Sequence, residues 1–233
     1  MAAAFIGAAI ALPPAHARAD RDRVNELERS LAEKTTLLKE VHHRVKNNLQ
    51  VVCSLLSMQI GCADSELVSG PLNDAYSRVL AMSLIHERIY QSETLSDVNF
   101  GGYIEALAER LFDAYCVDPV RIRLETSLEP IPIVLDQAVP CGLILNELIS
   151  NALKHAFPGG RKGIIRISLR RAAHNRVVLT IADNGIGLPP DFRWENSGSL
   201  GLQVVHTLTD QLHAVLNVVV QDGTAYSLNW KIG

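Results

Sequence analysis

The run Glu40-Val41-His42-His43-Arg44-Val45-Lys46-Asn47-Asn48-Leu49-Gln50 sets two adjacent imidazoles among basic side chains and two asparagines. A neutral imidazole, with an ordinary pKa of about 6.5, is a competent nucleophile near neutrality. The same run also reads as a solvated polar face, because charge clusters are common on helices. A second polar cluster is Asn146-Glu147-Leu148-Ile149-Ser150-Asn151-Ala152-Leu153-Lys154-His155. On a helix Glu147 and Asn151, four apart, share one face. Asn151 can offer a neutral oxygen to Mg²⁺, which prefers hard oxygen ligands and keeps room for water and phosphates. Lys154 can add positive charge beside those phosphates. An amphipathic helix with its polar face in water would look similar.

Two glycine-bearing stretches follow. Asp183-Asn184-Gly185-Ile186-Gly187-Leu188-Pro189 comes directly after a strand-like run. A carboxylate at a strand end can accept an exocyclic amine such as that of adenine, and the glycines allow close backbone approach. Gly198-Ser199-Leu200-Gly201-Leu202 opens a helix, where free N–H groups suit phosphate. Each stretch alone is a weak signal, since turns after strands often have this composition. No G-x-x-x-x-G-K-[ST] loop and no G-x-S-x-G elbow is present.

These residues need elements to hold them. The chain has 233 residues, 48% hydrophobic and 20% charged, with net charge −3. That is globular composition, with core enough for one large domain or two small ones. The charge balance excludes a dedicated nucleic-acid binder, which carries a concentrated positive excess. Cys53, Cys62, Cys116 and Cys141 lack metal-site spacing and read as reduced thiols. Met1–Leu12 is apolar but has no preceding basic residue, and is too short for a bilayer span of about 20 residues. Residues 1–20 therefore read either as a tail or as the remnant of a membrane or signal segment.

From Asp20 to Gln59 a seam runs at alternating steps of three and four through Val24, Leu27, Leu31, Leu38, Val41, Val45, Val52 and Leu55, with Lys34 and Asn48 at the two skipped positions. The spacing predicts one long helix with a coiled-coil seam. In that register His43 falls farthest from the seam and His42 flanks it. Pro71 suits the first turn of a second helix reaching Tyr90, with Leu72, Ala75, Val79, Met82 and Ile89 as its apolar face. Two such hairpins would form a four-helix bundle, so a homodimer is expected. The pattern lapses at Ser92–Asn99, a domain boundary. Beyond it come a helix over Tyr103–Tyr115, a strand over Val120–Leu128 and a helix over Asp136–Phe157. Strands over Ile164–Arg170 and Arg176–Ala182 turn at His174-Asn175. A helix over Leu200–Leu212 and a closing hairpin around Asp222-Gly223 complete the chain. Strands and helices mix without strict β-α-β alternation, which predicts an α/β two-layer sandwich.

Taken in order, the four motifs resemble those of sensor histidine kinases. ELISNALKHAF, DNGIGLP and GSLGL resemble the N, G1 and G2 boxes of the GHKL ATPases. HHRVKNNLQ resembles the H-R-x-x-N phosphoacceptor motif of a branch related to the HWE kinases. The resemblance runs from about Leu37 to Ile232. It implies an α+β protein: a helical-hairpin dimerisation and phosphoacceptor domain over 21–95, then a GHKL (Bergerat) ATPase domain over 98–233.

Carried over by position, the resemblance makes His43 the phosphoacceptor, with His42 the alternative. Glu147 would polarise the nucleophile or help hold Mg²⁺. Asn151 would be the Mg²⁺ ligand, with Lys154 and His155 near phosphate. Asp183 would recognise adenine, in a pocket shaped by Gly185 and Gly187, and Thr224 would support that contact. Gly198, Ser199 and Gly201 would close over the phosphates. Leu188–Asn196 is expected to move as part of that lid. The cofactors implied are ATP and Mg²⁺. The partners implied are a response-regulator receiver domain, a second copy of the chain and a separate sensor protein, with the cytoplasm as location.

The alternatives are a phosphotransfer scaffold with a degenerate ATPase domain, or another GHKL ATPase such as an anti-sigma-type serine kinase. Many relatives carry Gly-Gly where this chain has His213-Ala214, and a turn with ordinary backbone angles is expected there. A sensory region usually precedes the long helix in such kinases. Here either a partner supplies the signal or the chain is a fragment.

Overall fold

The computed structural model describes residues 15–91, 98–115, 117–189, 192 and 199–232. The chain divides into two compact units, Met1–Glu40 and Val41–Gly233. The described part of the first is helical throughout.

Helix α1 (Ala15–Gly61) is uninterrupted, as the absence of Pro and Gly from its interior allows. Most of its predicted seam is open to solvent: Val24 is 53% exposed, Leu31 67%, Val41 54% and Leu55 52%, while the seam residue Val45 is half-buried. Within the second unit a neighbouring stripe is half-buried instead: His42, Val45, Leu49, Cys53, Leu56 and Ile60. This stripe meets helix α2 (Glu66–Gln91) through His42 with His86 and through Lys46 with Glu87. Among the described residues two three-four stripes therefore run along α1 and share Val45, and α2 meets the second of them.

Helix α2 begins before Pro71, at Glu66. The Ser65 carbonyl takes the Val68 and Ser69 N–H groups and opens the first turn. Pro71 then sits inside the helix, where its missing N–H costs one backbone bond. The apolar face also differs from expectation. Leu72, Ala75, Val79 and Met82 are only half-buried, whereas Ser77, Ala81, Leu84 and Ile85 are buried. Ile89's side chain, Cys116 and residues 92–97 of the expected boundary lie outside the described residues, as does Met1–Leu12. Among the described residues no helix is long and apolar enough to cross a membrane.

Strand β1 (Val98–Asn99) leads into helix α3 (Phe100–Ala114), whose N-cap Asn99 accepts the Gly102 N–H. Strand β2 (Ile122–Leu128) follows, and strand β3 (Pro132–Ile133) pairs antiparallel with β1. Helix α4 (Leu135–Asn151) continues into a π-helical turn, Ala152–Ala156, not the regular helix expected to Phe157. The last carbonyls there are taken from outside: Ala156 O by the Ile186 N–H and Phe157 O by Arg121. Strands β4 (Gly163–Ala172) and β5 (Arg176–Asp183) turn at His174 and Asn175, with φ of 60° and 56°. Helix α5 (Leu200–Gln211) and strands β6 (Val215–Val220) and β7 (Thr224–Lys231) complete the fold.

The five-stranded sheet has order β2-β4-β5-β7-β6, with β2 parallel to β4 and the other pairs antiparallel. Alternate residues of its inner strands, such as Ile165, Ile167, Leu179, Ile181, Leu228 and Trp230, project into one core. Ile104, Leu107 and Leu111 of α3, Ile144, Leu145 and Leu148 of α4 and Val205 of α5 fill the other side. This is the expected two-layer sandwich. Ala81, Leu84 and Ile85 of α2 belong to the same core.

The turn after α5 does not have ordinary angles. His213 adopts φ 49°, the Ala214 N–H reaches Thr209 O and the His213 N–H reaches Asp210 O. This is a Schellman closure with histidine at the left-handed position. The unpaired carbonyls of the helix end select that conformation over the residue's own preference.

Candidate functional site

A cleft of about 460 Å³ opens between the C-terminal end of α4, the end of β5 and the start of α5. Asn151 and His155 line one side, Asp183, Gly187 and Thr224 the floor, and Ser199 the far rim. Motifs separated by up to 73 positions in the sequence thus surround one cavity.

The floor is built by the β5–β7 register, which sets Asp183 opposite Thr224. Asp183 Oδ1 accepts the Gly185 N–H at 2.8 Å and the Thr224 N–H at 3.4 Å. Burial holds this carboxyl above its ordinary value, and the two N–H groups oppose that shift. With Oδ1 so engaged, Oδ2 is the oxygen available to an amine donor. Tyr226 lines the same cleft, and burial followed by the nearby Asp183 pushes its phenol up to about 12.

The loop after Asp183 is tied down at both ends. Asn184 Oδ1 takes the Ile164 N–H at 2.7 Å, and the Ile186 N–H reaches Ala156 O. A Cβ on Gly185 would collide with that Ala156 carbonyl, so only glycine lets the loop lie against the π turn. Gly187 has φ 73°, in the left-handed region. Apolar walls come from Leu148, Ala152, Ile181, Ile186 and Phe192, which suit the flat face of a purine.

A second cleft of about 330 Å³ continues from the first and shares Asn151, His155 and Ser199 with it. Ser199 caps α5, its Oγ accepting the Leu202 N–H at 3.4 Å. The first turn of α5 therefore presents backbone N–H groups at the junction of the two clefts. A Cβ on Gly201 would stand 2.5 Å from Glu147 Oε2, so this glycine lets α5 start against the carboxylate. Gly198 and most of the expected lid, residues 190, 191 and 193–196, lie outside the described residues.

Glu147 is buried, and both its oxygens are occupied. Arg78 Nε lies 2.7 Å from Oε1 and Nη2 3.0 Å from Oε2, and Asn146 Nδ2 donates to Oε1 at 3.1 Å. The carboxylate hydrogen bond raises the Arg78 pKa further. Lys154 pairs with Asp74 and lies 5.8 Å from the Tyr115 ring centroid. Asp74 and Arg78 escaped the sequence reading. Their signal was an i, i+4 pair of opposite charge on α2, which looks like any solvated helix pair. Asn151 and Glu147 both line this second cleft and carry oxygen donors, the ligand type Mg²⁺ prefers.

On α1, His42 Nδ1 lies 3.1 Å from His86 Nδ1, with ring centroids 5.3 Å apart. Burial and then His42 lower the His86 pKa. His43 is on another face, with Asn47 Nδ2 3.4 Å from its Nδ1. The two histidines thus have different surroundings.

Residues 40–115 match the histidine kinase family, and residues 137–232 match the histidine kinase-, DNA gyrase B- and HSP90-like ATPases, a domain that implies ATP binding. The chain is 35% identical over 191 residues to the sensor histidine kinase PdtaS of Mycobacterium tuberculosis, covering 81% of this chain and 37% of that protein. It is 28% identical over 215 residues to the blue-light-activated histidine kinase 2 of Erythrobacter litoralis, covering 91% of this chain and 59% of the other. The solved histidine kinase domain of the Erythrobacter litoralis EL346 protein superposes with TM-score 0.65 at 27% identity, covering 91% of this chain and 94% of that one. The chain thus spans about two-fifths to three-fifths of the length of these full-length relatives.

Proposed function

Because residues 40–115 match the histidine kinase family and residues 137–232 the histidine kinase-, DNA gyrase B- and HSP90-like ATPases, we propose that the chain is an ATP-dependent protein-histidine kinase of a two-component system. The observation that carries this reading is the convergence of Asn151, His155, Asp183, Gly187, Ser199 and Thr224 on one cleft. A scaffold with a degenerate ATPase site would have no reason to keep that set together.

Asp183 Oδ2 would accept the adenine amine, and the apolar walls would exclude water from the ring. The N–H groups at the start of α5, with Lys154 and His155, would neutralise phosphate charge. Gly198 belongs to the same glycine-rich start. Asn151 and Glu147 would hold Mg²⁺, which when bound neutralises charge on the phosphates. The remaining task is alignment, the main source of rate in phosphoryl transfer. A nitrogen of neutral His43 attacks the γ-phosphorus, the bond to the bridging oxygen breaks and ADP leaves. Asn47, whose Nδ2 lies 3.4 Å from His43 Nδ1, would help orient the ring. His42 is engaged with His86, which supports His43 as the acceptor. The phosphoryl group would pass to an aspartate of a separate response-regulator receiver domain.

Residues 1–20 are assigned as a tail, 21–95 as the dimerisation and phosphotransfer domain and 98–233 as the ATP-binding domain. The exposed seam of α1 would pair with a second copy. A separate sensor protein would supply the input, and the need for ATP favours the cytoplasm.

The test is autophosphorylation with γ-labelled ATP and Mg²⁺. Acid-labile, alkali-stable label is expected on the wild type and on His42→Ala, and none on His43→Ala or Asn151→Ala. Label retained in a His42→Ala/His43→Ala double variant would overturn the reading.

A further inference from the structure

Two charge pairs join α2 to the end of α4. Asp74 and Arg78 lie one turn apart on one face of α2. Arg78 grips Glu147 through two bonds of 2.7 and 3.0 Å, and Asp74 pairs with Lys154. The order of signs is matched antiparallel, so each charge meets its opposite. The residues held are the ones that the proposed function gives to metal and phosphate, and the inference rests on that reading. Both Glu147 oxygens accept hydrogen bonds, two from Arg78 and one from Asn146. Lys154 is turned to Asp74 and to the Tyr115 ring. The cleft that continues the nucleotide cavity is lined by these same four side chains.

The two ends of the α2 contact differ in kind. Toward its C-terminus α2 is anchored by Ala81, Leu84 and Ile85, and Tyr103 donates to the Ala81 carbonyl at 3.2 Å. Toward its N-terminus the contact is polar. It holds Ser77, which accepts from Asn146 Nδ2 at 3.3 Å. It also holds two buried oxygens, Asn146 Oδ1 and Ser150 Oγ, that have no partner among the described residues. Unpaired buried acceptors weaken the closed arrangement, and charge pairs can exchange for other charges without unpacking the apolar end.

We propose that Asp74 and Arg78 form an autoinhibitory latch that keeps Lys154 and Glu147 idle until nucleotide phosphates compete with Asp74 for Lys154. Breaking the latch then frees Glu147 for its part in transfer.

Arg78→Gln in the 233-residue chain is the deciding variant. Simple Coulomb attraction says that losing a cation beside the phosphates weakens nucleotide binding. The latch gives the opposite sign: tighter binding of a fluorescent ATP analogue with Mg²⁺, and faster autophosphorylation, each by roughly fivefold, the scale of one partly exposed ion pair. Arg78→Lys keeps the charge but loses the two-pronged grip, and should shift both quantities the same way by less. If Arg78→Gln does not fold, Arg78→Lys decides by the same sign. Binding that is weaker or unchanged overturns the latch. If the wild type binds nucleotide but takes no label, the kinase reading fails while the binding comparison still judges the latch.

Discussion

Asp183 and Thr224 face each other across β5 and β7, and the Asp183 carboxylate accepts the Thr224 backbone N–H at 3.4 Å. The strand register thereby builds the floor of the cleft. Burial raises the Asp183 pKa above its ordinary 3.8. The folded state then holds this proton more tightly than the unfolded chain. The contribution to stability is therefore most favourable below 3.8, falls as pH rises to the raised value and is a constant cost above it. Asp183→Asn should melt higher at neutral pH while binding ATP about tenfold or more weaker, the scale of a hydrogen bond to a charged group. Calorimetric melting and titration with an ATP analogue measure both. Lower stability together with unchanged affinity would remove Asp183 from the site.

Gly201 lets α5 begin against Glu147. Gly201→Ala should push Glu147 or the helix start aside, at about 1–3 kcal/mol of local strain. Autophosphorylation should fall by about tenfold, and the melting temperature by a few degrees. A rate equal to wild type would mean that the Glu147 position is immaterial to transfer.

The His42–His86 contact should make the hairpin sensitive to acid. A histidine with a lowered folded pKa contributes stability that is full above its unfolded value of about 6.5 and is lost as pH falls through the folded value. Between about pH 7.5 and 5.5 the wild type should lose more thermal stability than His86→Leu. Equal losses would show that this pair does not govern the acid response.

His213 holds a left-handed turn without being glycine, a conformation that costs an L-residue roughly 1–2 kcal/mol. His213→Gly should recover part of that, up to about 1 kcal/mol in urea denaturation, with no change in nucleotide affinity. Destabilisation would mean that the imidazole has a contact worth more than the backbone relief.

The open seam of α1 should carry the dimer. Leu31→Glu with Val41→Glu should give a monomer in sedimentation velocity where the wild type sediments as a dimer. Each places a charge on an apolar position now exposed, so the fold of the single chain should survive. A wild type that sediments as a monomer would refute the pairing.

Much of this was legible in the residues. Alternation in β4 and β5 and the His174-Asn175 turn followed from side-chain period and turn chemistry, which are local. The order of the four motifs was enough to anticipate an ATP cleft, because GHKL boxes carry their chemistry in short runs. Three- and four-residue steps on α1 identified an apolar stripe, but not which of two adjacent stripes α2 would cover. Both satisfy the same helical period, and only the partner helix distinguishes them.

The sequence by itself determined the long α1 helix, the strand alternation and the presence of the paired His42-His43 and of glycine-bearing runs of GHKL type. Each depends on residues within a few positions of one another. The tertiary structure alone decided that Asp183 meets Thr224, that Gly201 lies against Glu147 and that Asp74 and Arg78 of α2 pair with Lys154 and Glu147 at the C-terminal end of α4 and its π turn. Those contacts join positions tens of residues apart, and packing against a shared core, not local propensity, brings them within hydrogen-bond reach.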